Sequence, residues 1–517
     1  MKNTILLFCL LQISSLQTQN EFAVYCSDAH EYMNEKQYCQ AIKIIQSAGH
    51  DFAKTESRQD TVDLSARSLT RLPHEVTDHP YLKSLNLLKN NFTDWDSIFF
   101  YLSRLKQLSD LKITISISDF NNLKSENQKM ITGLAIIGED LNQIPENILQ
   151  QKQLTYLDLS DCHISFLPKE IGNMTNLTTL DLSNNQLDSL PAEIGKLARL
   201  IRLDLKNNHI TSLPAEIGKL TNLAELDLNN NQFASLPAEA GELTSLKKLD
   251  LSNNQFTSLP SVIWGNSFLS NLSLSNNQII SLPAEIGKLT CLTKLDLSNN
   301  LLESLPAEIG KLTRLTELDL SSNQLKSVPA ETISLTGLTE LNLNDNHLTS
   351  LPAEIGKLTG LTRLYLSKNQ ITCLPSGIGQ STNLTELDLS YNHLASLPKE
   401  IGELINLTKL NLRDNQLISL PAEIGKLTGL AGLDLRDNQL IALPAEIGKL
   451  INLTGLYLSS NHLAYLPSEI GELTSLTELY LRDDQLDSLP AEIGNLTNLT
   501  GLDLSNNRLT SLPAEIG

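Results

Sequence analysis

This 517-residue chain contains seven Gly-Lys pairs, which could bind phosphate. It also contains scattered histidines and cysteines, which could bind a metal or take part in nucleophilic catalysis. A phosphate-binding loop requires G-x-x-x-x-G-K-[ST]. In pairs such as Gly195-Lys196, leucine always follows the lysine, and no glycine stands at the required distance before the pair. No Ser–His–Asp or Cys–His combination stands out either. We therefore expect no nucleotide cofactor and no catalytic site.

The composition excludes several function classes. The chain has 59 acidic and 39 basic side chains, a formal net charge of −20, which disfavours binding to nucleic acid or to an anionic lipid surface. No run of 18 apolar residues exists, so we expect no membrane span. Six cysteines are too few for a disulfide scaffold. With 41% apolar but only 5% aromatic residues, a folded protein with an aliphatic core is expected.

The proline spacing reveals the element that must position any site. From Pro168 to Pro513 a proline recurs every 23 residues, within the pattern L-x-x-L-x-L-x-x-N-x-L-x-x-L-P-x-x-I-x-x-L-x-x. Sixteen regular repeats fill residues 154–517, the first starting at Leu154 and the last, which is incomplete, at Leu499. Residues 58–153 hold weaker repeats. In one of them Glu139 replaces the asparagine, and another keeps only a strand-like alternation at Leu111, Ile113, Ile115 and Ile117.

Each repeat has the pattern of one short strand and a return segment. Leucines at positions 4 and 6 alternate as in a strand, and strands of successive repeats would stack in parallel about 4.8 Å apart. A single repeat cannot bury its own apolar face, so its neighbours supply the core. Position 9 is asparagine in 14 of the 16 regular repeats, with Cys162 and Asp484 as the exceptions. A buried amide must be hydrogen-bonded, so we expect it to bond turn backbone and to link one repeat to the next.

This pattern resembles the leucine-rich repeat family over roughly residues 59–517. The 23-residue L-P-x-x-I form resembles the plant intracellular Ras-group-related repeats, Ras-pathway scaffolds and many bacterial repeat proteins. The resemblance implies an α/β, right-handed solenoid (horseshoe) with an inner parallel β-sheet and short helices or turns outside. It also implies a non-catalytic protein-binding scaffold that holds protein partners on its concave face.

The two ends differ from the repeats. Residues 1–19 read as a signal peptide, because Lys2 precedes the apolar stretch from Ile5 to Leu11. A secreted, periplasmic or cell-surface location is therefore expected; the alternative is a buried N-terminal helix in a cytoplasmic protein. Residues 20–57 read as a helical hairpin that caps the first repeat. In that hairpin Cys26 and Cys39 would lie about 9 Å apart along the helix axis, so no disulfide between them is expected.

The sequence stops at Gly517 in the middle of a consensus repeat. An uncapped solenoid end exposes apolar core and a strand edge, which favours self-association. Two alternatives follow. The chain could be the recognition arm of a longer signalling enzyme (a GTPase, kinase or ubiquitin ligase), or a cytosolic Ras-type signalling scaffold.

No metal site is expected within the repeats. Five histidines occupy position 10: His163, His209, His347, His393 and His462. The nearest two are two repeats apart, about 10 Å by the strand spacing, which is too far for both to reach one zinc ion. The cysteines within the regular repeats fall at three different repeat positions: Cys162, Cys291 and Cys373.

The concave face, formed by positions 3, 5, 7 and 8, is where we expect partner binding. Position 5 is aspartate in ten regular repeats, five of them consecutive: Asp158, Asp181, Asp204, Asp227 and Asp250. Such a ladder would attract a basic partner. The alternative is that aspartate is merely the ordinary solvated residue at this position.

The second half of the chain departs from this pattern. Tyrosine replaces aspartate at Tyr365, Tyr457 and Tyr480, and the neighbouring positions carry Arg363, Lys368, Tyr391, Arg413, Arg436 and Arg482. Tyrosine and arginine are enriched at the energetic centres of protein interfaces, so these residues are candidates for a partner site. Random drift of a tolerant surface is the competing interpretation.

If residues 1–19 are a signal peptide, the mature protein from its native host should begin close to residue 20, because the segment is removed on export. N-terminal sequencing of the purified protein measures this directly. A mature chain that begins at Met1 or Lys2 would contradict export.

Overall fold

The structure is a computed structural model that describes residues 60–73, 76 and 81–516. The predicted signal peptide and helical hairpin, with Cys26 and Cys39, lie outside the described residues.

Twenty short strands follow one another along the described part of the chain. They are β1 Thr61–Asp63, β2 Ser84–Leu87, β3 Asp110–Thr114, β4 Gly133–Ala135, β5 Tyr156–Asp158, β6 Thr179–Asp181, β7 Arg202–Asp204, β8 Glu225–Asp227, β9 Lys248–Asp250, β10 Asn271–Ser273, β11 Lys294–Asp296, β12 Glu317–Asp319, β13 Glu340–Asn342, β14 Arg363–Tyr365, β15 Glu386–Asp388, β16 Lys409–Asn411, β17 Gly432–Asp434, β18 Gly455–Tyr457, β19 Glu478–Tyr480 and β20 Gly501–Asp503.

From β2 to β20 each strand pairs in parallel with the next one along the chain, as the repeat pattern predicts. In the regular repeats the register is 23 residues, so that Leu180 faces Leu203 and Asp181 faces Asp204. Equal repeat length therefore places equal repeat positions side by side along the whole sheet. The sheet is open, and its strands run in sequence order.

The return segment of each regular repeat is a 3-10 turn rather than an α-helix. These turns are Lys169–Asn173, Ala192–Lys196, Ala215–Lys219, Ala238–Glu242, Ser261–Gly265, Ala284–Lys288, Ala307–Lys311, Ala330–Ser334, Ile355–Lys357, Ser376–Gln380, Lys399–Glu403, Ala422–Lys426, Ala445–Lys449, Ser468–Glu472, Ala491–Asn495 and Ala514–Ile516. Proline precedes most of them because its φ is already near −70° and its missing N–H is not needed there.

The recurrent Gly-Lys pair is explained by packing between these turns. A β-carbon added to Gly195 would lie 2.5 Å from the carbonyl oxygen of Glu216 in the next repeat. Only glycine allows this close approach of the two backbones. The pair therefore belongs to the architecture, as the absence of a phosphate-loop pattern indicates.

Four α-helices lie in the irregular repeats of the described chain: α1 Trp95–Leu102, α2 Ile117–Asn122, α3 Ser125–Met130 and α4 Glu146–Leu149. The expected alternation through Ile117 is wrong at its end, because β3 stops at Thr114 and Ile117 begins α2. Ser116 caps α2 by accepting a hydrogen bond from the Asp119 amide. Among the residues that the structure describes, no helix is both long enough and apolar enough to cross a lipid bilayer.

The core is a column of aliphatic side chains between the sheet and the return segments. In the repeat that starts at Leu177, the leucines at positions 1, 4, 6, 11, 14 and 21 and Ile194 are buried. Each such side chain contributes about 1.5–3 kcal/mol of gross burial energy. In the last repeat Leu502 and Leu512 are 36% and 55% exposed, because no further repeat of this sequence packs on them.

Position-9 asparagines link consecutive repeats, as predicted. The Asn185 side-chain oxygen accepts from the backbone amides of Cys162 and Ile164 in the preceding repeat, at 3.1 and 2.9 Å. Its amide nitrogen donates to the carbonyl oxygens of Leu159 in the preceding repeat and Leu182 in its own. Asn90 makes the same set of bonds in the second irregular repeat. Each asparagine thus satisfies backbone groups of two repeats at once.

Residues that replace this asparagine retain part of its bonding. The Cys162 thiol donates to the Ile136 carbonyl at 3.0 Å, and burial raises its pKa to about 11. The Glu139 carboxylate accepts from the Ile117 amide at 2.9 Å. Asp484 accepts from the Leu463 amide at 3.2 Å, but its second carboxylate oxygen is buried without a hydrogen-bond partner. Burial raises the pKa of Asp484 to about 7.

Replacing Asp484 with Asn should restore the missing donor and stabilise the protein at pH 7 by about 1–3 kcal/mol. The folded-state pKa of Asp484 lies above its unfolded value. The unfolded chain therefore loses this proton first as the pH rises, so the penalty on the folded state grows from about pH 4 and is complete above about pH 7. The advantage of Asn should therefore shrink as the pH falls to 4. Urea unfolding at several pH values, with hydrogen exchange at the Leu463 amide, measures both effects.

Asp483→Asn is the matched control, because it removes a neighbouring carboxylate that is 43% exposed. Equal stabilisation by both variants, or a gain from Asp484→Asn that does not change with pH, would contradict this assignment.

Candidate functional site

The inner face is defined here as the sheet surface that carries positions 3, 5 and 7 of each repeat. Position 8 follows in a turn with φ between 52° and 62° in all sixteen regular repeats. Asparagine and aspartate tolerate this left-handed conformation better than other residues with side chains, and they occupy position 8 in twelve of the sixteen. The preference for asparagine or aspartate at position 8 is visible in the sequence, but the left-handed turn was not predicted from it. Lys368 and Tyr391 occupy this turn, beyond the end of their strands.

The structure places the five consecutive aspartates side by side on the inner face. Asp158, Asp181, Asp204, Asp227 and Asp250 are direct partners across β5–β9. All ten position-5 aspartates accept a hydrogen bond from the backbone amide two residues later, at 2.9–3.2 Å. Their first role is therefore to hold the turn after the strand.

Two aspartates of the ladder, Asp158 and Asp204, are buried rather than solvated. Asp204 is only 1% exposed, and its carboxylate lies 3.7 Å from Arg202 and 3.6 Å from Lys206. Burial, with the neighbouring Asp181 carboxylate, raises the pKa of Asp204. Burial raises the pKa of Asp227 to about 6. The ladder is an acidic row that is partly withdrawn from water.

The tyrosines at position 5 cannot make the turn bond that aspartate makes. In the Tyr365 repeat, the Ser367 amide donates instead to the Asn344 side chain of the preceding repeat, at 2.6 Å. In the Tyr480 repeat, the Arg482 amide donates to the Ser459 hydroxyl at 3.2 Å. Each replacement therefore loses a local bond, and in the Tyr365 and Tyr480 repeats the preceding repeat supplies a substitute acceptor.

Tyr457 and Tyr480 form a ring pair on the inner face. Their ring centres lie 5.5 Å apart at an angle of 55°. The Tyr457 hydroxyl donates to Glu478 at 2.5 Å, and this bond raises the pKa of Tyr457 to about 12. Tyr365 makes the equivalent bond to Glu386 at 3.2 Å, and burial raises its pKa to about 12.

Glycines at position 3 make room for this ring pair. A β-carbon on Gly455 would lie 2.7 Å from the Tyr457 hydroxyl oxygen, and one on Gly501 would lie 3.4 Å from the Tyr480 ring. The tyrosines Tyr365 and Tyr457 each donate to a glutamate at position 3 of the next repeat. Gly501 occupies that position after Tyr480, so the Tyr480 hydroxyl has no hydrogen-bond partner in the described part of the chain. These glycines are visible in the sequence, because only Gly432, Gly455 and Gly501 lack a side chain at position 3 of the regular repeats. They were not among the predicted site residues.

Two of the arginines lie near a tyrosine ring, and the others pair only with carboxylates. The Arg436 guanidinium lies 5.4 Å from the Tyr457 ring centre and pairs with Asp434 at 2.5 Å. Arg413 lies 5.6 Å from the Tyr391 ring centre and pairs with Asp437 at 3.0 Å. Arg482 pairs with Asp483 at 3.1 Å and is 56% exposed. Arg363 pairs with Glu340.

The structure therefore divides the predicted partner site into separate parts. It brings Arg436, Tyr457 and Tyr480 together and forms a second pair from Tyr391 and Arg413. Tyr365 lies on β14, separated from Tyr457 by the three strands β15–β17, or roughly 19 Å from it at 4.8 Å per strand step. We call the surface of Arg413, Arg436, Tyr457, Tyr480 and Arg482 the Tyr-Arg segment.

A shallow depression of about 280 Å³ lies elsewhere on the inner face, across β9–β13. Its lining includes the aspartates and lysines of these strands, together with Asn271 and Ser273 of β10. These short side chains break the aspartate row in β10 and leave the space. Within the described residues, no group of three metal-binding side chains is arranged to hold an ion.

Comparisons with known proteins agree with this geometry. A family model described as a leucine-rich repeat region matches residues 138–232, 309–412 and 391–485. A second, described as leucine rich repeat, matches residues 221–279 and 268–325, and a third matches residues 498–517. Together these matches cover most of the regular repeats.

Solved structures extend the likeness over most of the chain. A leucine-rich repeat protein from Leptospira interrogans is 34% identical, with a TM-score of 0.60, and the match covers 86% of this chain and 95% of that one. The plant peptide hormone receptor RGFR1, solved in complex with RGF2, is 32% identical with a TM-score of 0.66, over 89% and 78% of the two chains.

A third similar structure is the ectodomain of the Arabidopsis receptor kinase HAESA, solved in complex with an IDA peptide hormone. It is 27% identical with a TM-score of 0.62, over 88% of this chain and 84% of that one. A search of curated protein sequences finds no significant match.

Replacing Gly455 with Ala should displace the Tyr457 ring, because the new methyl group would occupy the place of its hydroxyl. The bond to Glu478 should break, and the pKa of Tyr457 should fall from about 12 toward the ordinary value near 10. NMR titration of carbon-13-labelled tyrosine, with Tyr457→Phe to assign the signal, measures this shift.

Gly432→Ala is the matched control, since its β-carbon would meet nothing within 4 Å. It should leave the pKa of Tyr457 unchanged. An unchanged pKa in Gly455→Ala would show that Gly455 does not determine the position of the ring.

Proposed function

The chain belongs to the leucine-rich repeat family, and from that premise we propose that it is a non-catalytic recognition scaffold that holds a protein partner on its inner face. The Tyr-Arg segment is the anchor of the proposed site. The aspartate ladder of β5–β9 is its acidic extension, which steers basic groups of the partner toward the sheet.

One observation carries this proposal. The tyrosines at position 5 cannot accept the hydrogen bond from the backbone amide two residues later, which all ten aspartates at this position accept. An intramolecular hydrogen bond contributes about 0.5–1.5 kcal/mol. The Ser459 amide, two residues after Tyr457, makes no hydrogen bond within the described chain. A residue that weakens its own turn is better explained by a role in binding than by drift.

The left-handed turns support the same argument. Tyr391 has φ of 54° where most repeats have asparagine or aspartate. A bulky residue in this conformation costs roughly 1–3 kcal/mol, and such strain is concentrated at functional sites. Its ring also holds the Arg413 guanidinium 5.6 Å from the ring centre. Both tyrosine-arginine pairs therefore occur in repeats that depart from the most stable local sequence.

The chemistry of the Tyr-Arg segment suits a peptide or protein surface with mixed charge. Tyrosine and arginine bury large areas while keeping hydrogen-bonding groups. The Tyr480 hydroxyl is free to donate or accept, and Arg482 is largely exposed. In contrast, Arg436 is held by both oxygens of Asp434 and serves to orient the Tyr457 ring.

The relatives support a role in protein or peptide binding. Both plant receptors were solved with a peptide hormone bound, so this architecture is capable of holding a peptide. We also propose that the protein acts outside the cytoplasm, because residues 1–19 have the pattern of a signal peptide.

Replacing Tyr365, Tyr457 and Tyr480 with Asp should weaken partner binding by about tenfold or more, which is at least 1.4 kcal/mol. Because aspartate restores the turn acceptor, the melting temperature should stay unchanged or rise. A partner recovered by pull-down with the parent chain, followed by titration calorimetry, provides the affinity.

Tyr156→Thr serves as the control, since it removes a tyrosine of the inner face nine strands before Tyr365 and installs the residue that Thr179 provides in the next repeat. Equal affinity of the triple variant and the parent chain would refute the Tyr-Arg segment as the anchor.

A further inference from the structure

Exposed apolar residues occupy neighbouring positions of three consecutive repeats, on one flank of the solenoid and apart from the inner face. Ile418 and Ile441 occupy position 12 of consecutive repeats and are 51% and 57% exposed; Tyr465, at position 13 of the next repeat, is 57% exposed. Across the regular repeats these positions are otherwise mostly threonine, serine, alanine or charged residues. We call these three residues the flank row.

The backbone places Ile418 and Ile441 on adjacent repeats, because the Ile441 amide donates to the Ile418 carbonyl at 3.3 Å. In the next repeat Ala464 takes the equivalent position, and Tyr465 follows it directly. One repeat further on, Asp487 occupies this position, and its amide donates to the Ala464 carbonyl at 3.2 Å. The row follows the carboxyl ends of β16, β17 and β18, whose inner face carries Arg413, Arg436 and Tyr457.

Single exposed apolar residues occur elsewhere and need no explanation. Ile280, for example, has Thr257 and Glu303 at the same position in the repeats on either side. The flank row differs because large exposed side chains occur in three consecutive repeats. Contiguous exposed apolar surface of this kind marks interaction sites.

Acidic groups border the flank row. Glu423, Glu446 and Glu469 follow it in the same three repeats, in the first turns of the 3-10 segments, and make no ion pair within the described chain. On the other side lies Asp414, in the left-handed turn before Ile418. Lys426 is paired with Glu403, which leaves Lys449 as the unpaired cation of these turns. An apolar row with an acidic border suits a partner that is apolar in the centre and basic at its edges.

The spacing of the row fits one turn of an α-helix. Adjacent rungs of a parallel sheet are about 4.8 Å apart, and one helical turn rises about 5.4 Å. From the first to the third member of the row, the distance given by the strand spacing and the distance given by the helical pitch differ by only about 1 Å. Apolar residues at i, i+4 and i+7 of a helix therefore meet the three members of the row.

We propose that the flank row of Ile418, Ile441 and Tyr465 is a second docking surface, and that it binds a basic amphipathic helix of a protein partner. The helix lies along the solenoid axis, with its apolar stripe on the row and its lysines or arginines over Asp414 and the three glutamates. This surface does not depend on the Tyr-Arg segment.

The test uses a fluorescent peptide of about 15 residues with leucines at i, i+4 and i+7 and lysines beside them. Fluorescence anisotropy with the full chain should show saturable binding. A scrambled peptide of the same composition, and one with glutamate for lysine, should bind at least about tenfold more weakly. Binding of the scrambled peptide with equal affinity would overturn the proposal, as would no binding of the designed peptide.

Ile418→Thr, Ile441→Thr and Tyr465→Ser, combined, should abolish peptide binding without loss of folding, since threonine and serine occupy these positions in other repeats. The matched control is Ile405→Thr with Ile451→Thr. These isoleucines are equally exposed, at 57% and 55%, but they lie at position 22, on the opposite flank that leads into the strands. The control should bind the peptide within about twofold of the parent chain.

The Tyr457→Asp and Tyr480→Asp variant should also keep its affinity for the peptide, which separates this proposal from the one for the inner face. Light scattering and vesicle binding test the other occupants. A dimer, or binding to neutral lipid vesicles, that the triple flank variant abolishes would overturn the proposal in favour of a second copy or a membrane.

Discussion

The hydrogen bonds of the position-9 asparagine are the constraint on which the rest of this structure depends. Each side chain accepts from at least one amide of the preceding repeat and donates to carbonyls of two repeats, so it holds both the turn after the strand and the step between strands. With that step fixed at 23 residues, every other position is brought beside its equivalents. The aliphatic core, the aspartate ladder and the exposed rows are all consequences of that single register.

The same register explains why departures from the repeat are informative. Aspartate at position 5 is already engaged in holding the turn, so its recurrence follows from architecture. Where Tyr457 and Tyr480 replace it, a local bond is lost, and glycine at position 3 of the same or the next strand leaves room for the ring. Such paired changes in adjacent repeats support the proposed binding surface. The flank row adds a second departure in the same repeats, and the two surfaces meet around the carboxyl ends of β16–β18.

Much of the fold was predictable because its determinants are local and periodic. Leucine alternation, the proline before each return segment and the role of asparagine follow from one repeat and its multiplication. The irregular repeats were less predictable. Ile117 continued the alternation in the sequence but begins a helix, because Ser116 supplies a cap for it. The return segments are 3-10 turns, and most of them carry glycine where neighbouring backbones approach closely.

The sequence by itself determined the solenoid, the register and the residues that break its pattern, since each of these depends on residue type and spacing along the chain. Only the tertiary structure decided which of the candidates meet. Tyr457 and Tyr480 stack because they lie on adjacent strands and Gly455 and Gly501 leave space, whereas Tyr365 remains apart. Likewise, only the structure separated the buried aspartates of the ladder, Asp158 and Asp204, from the more exposed ones, because burial depends on side chains of neighbouring repeats.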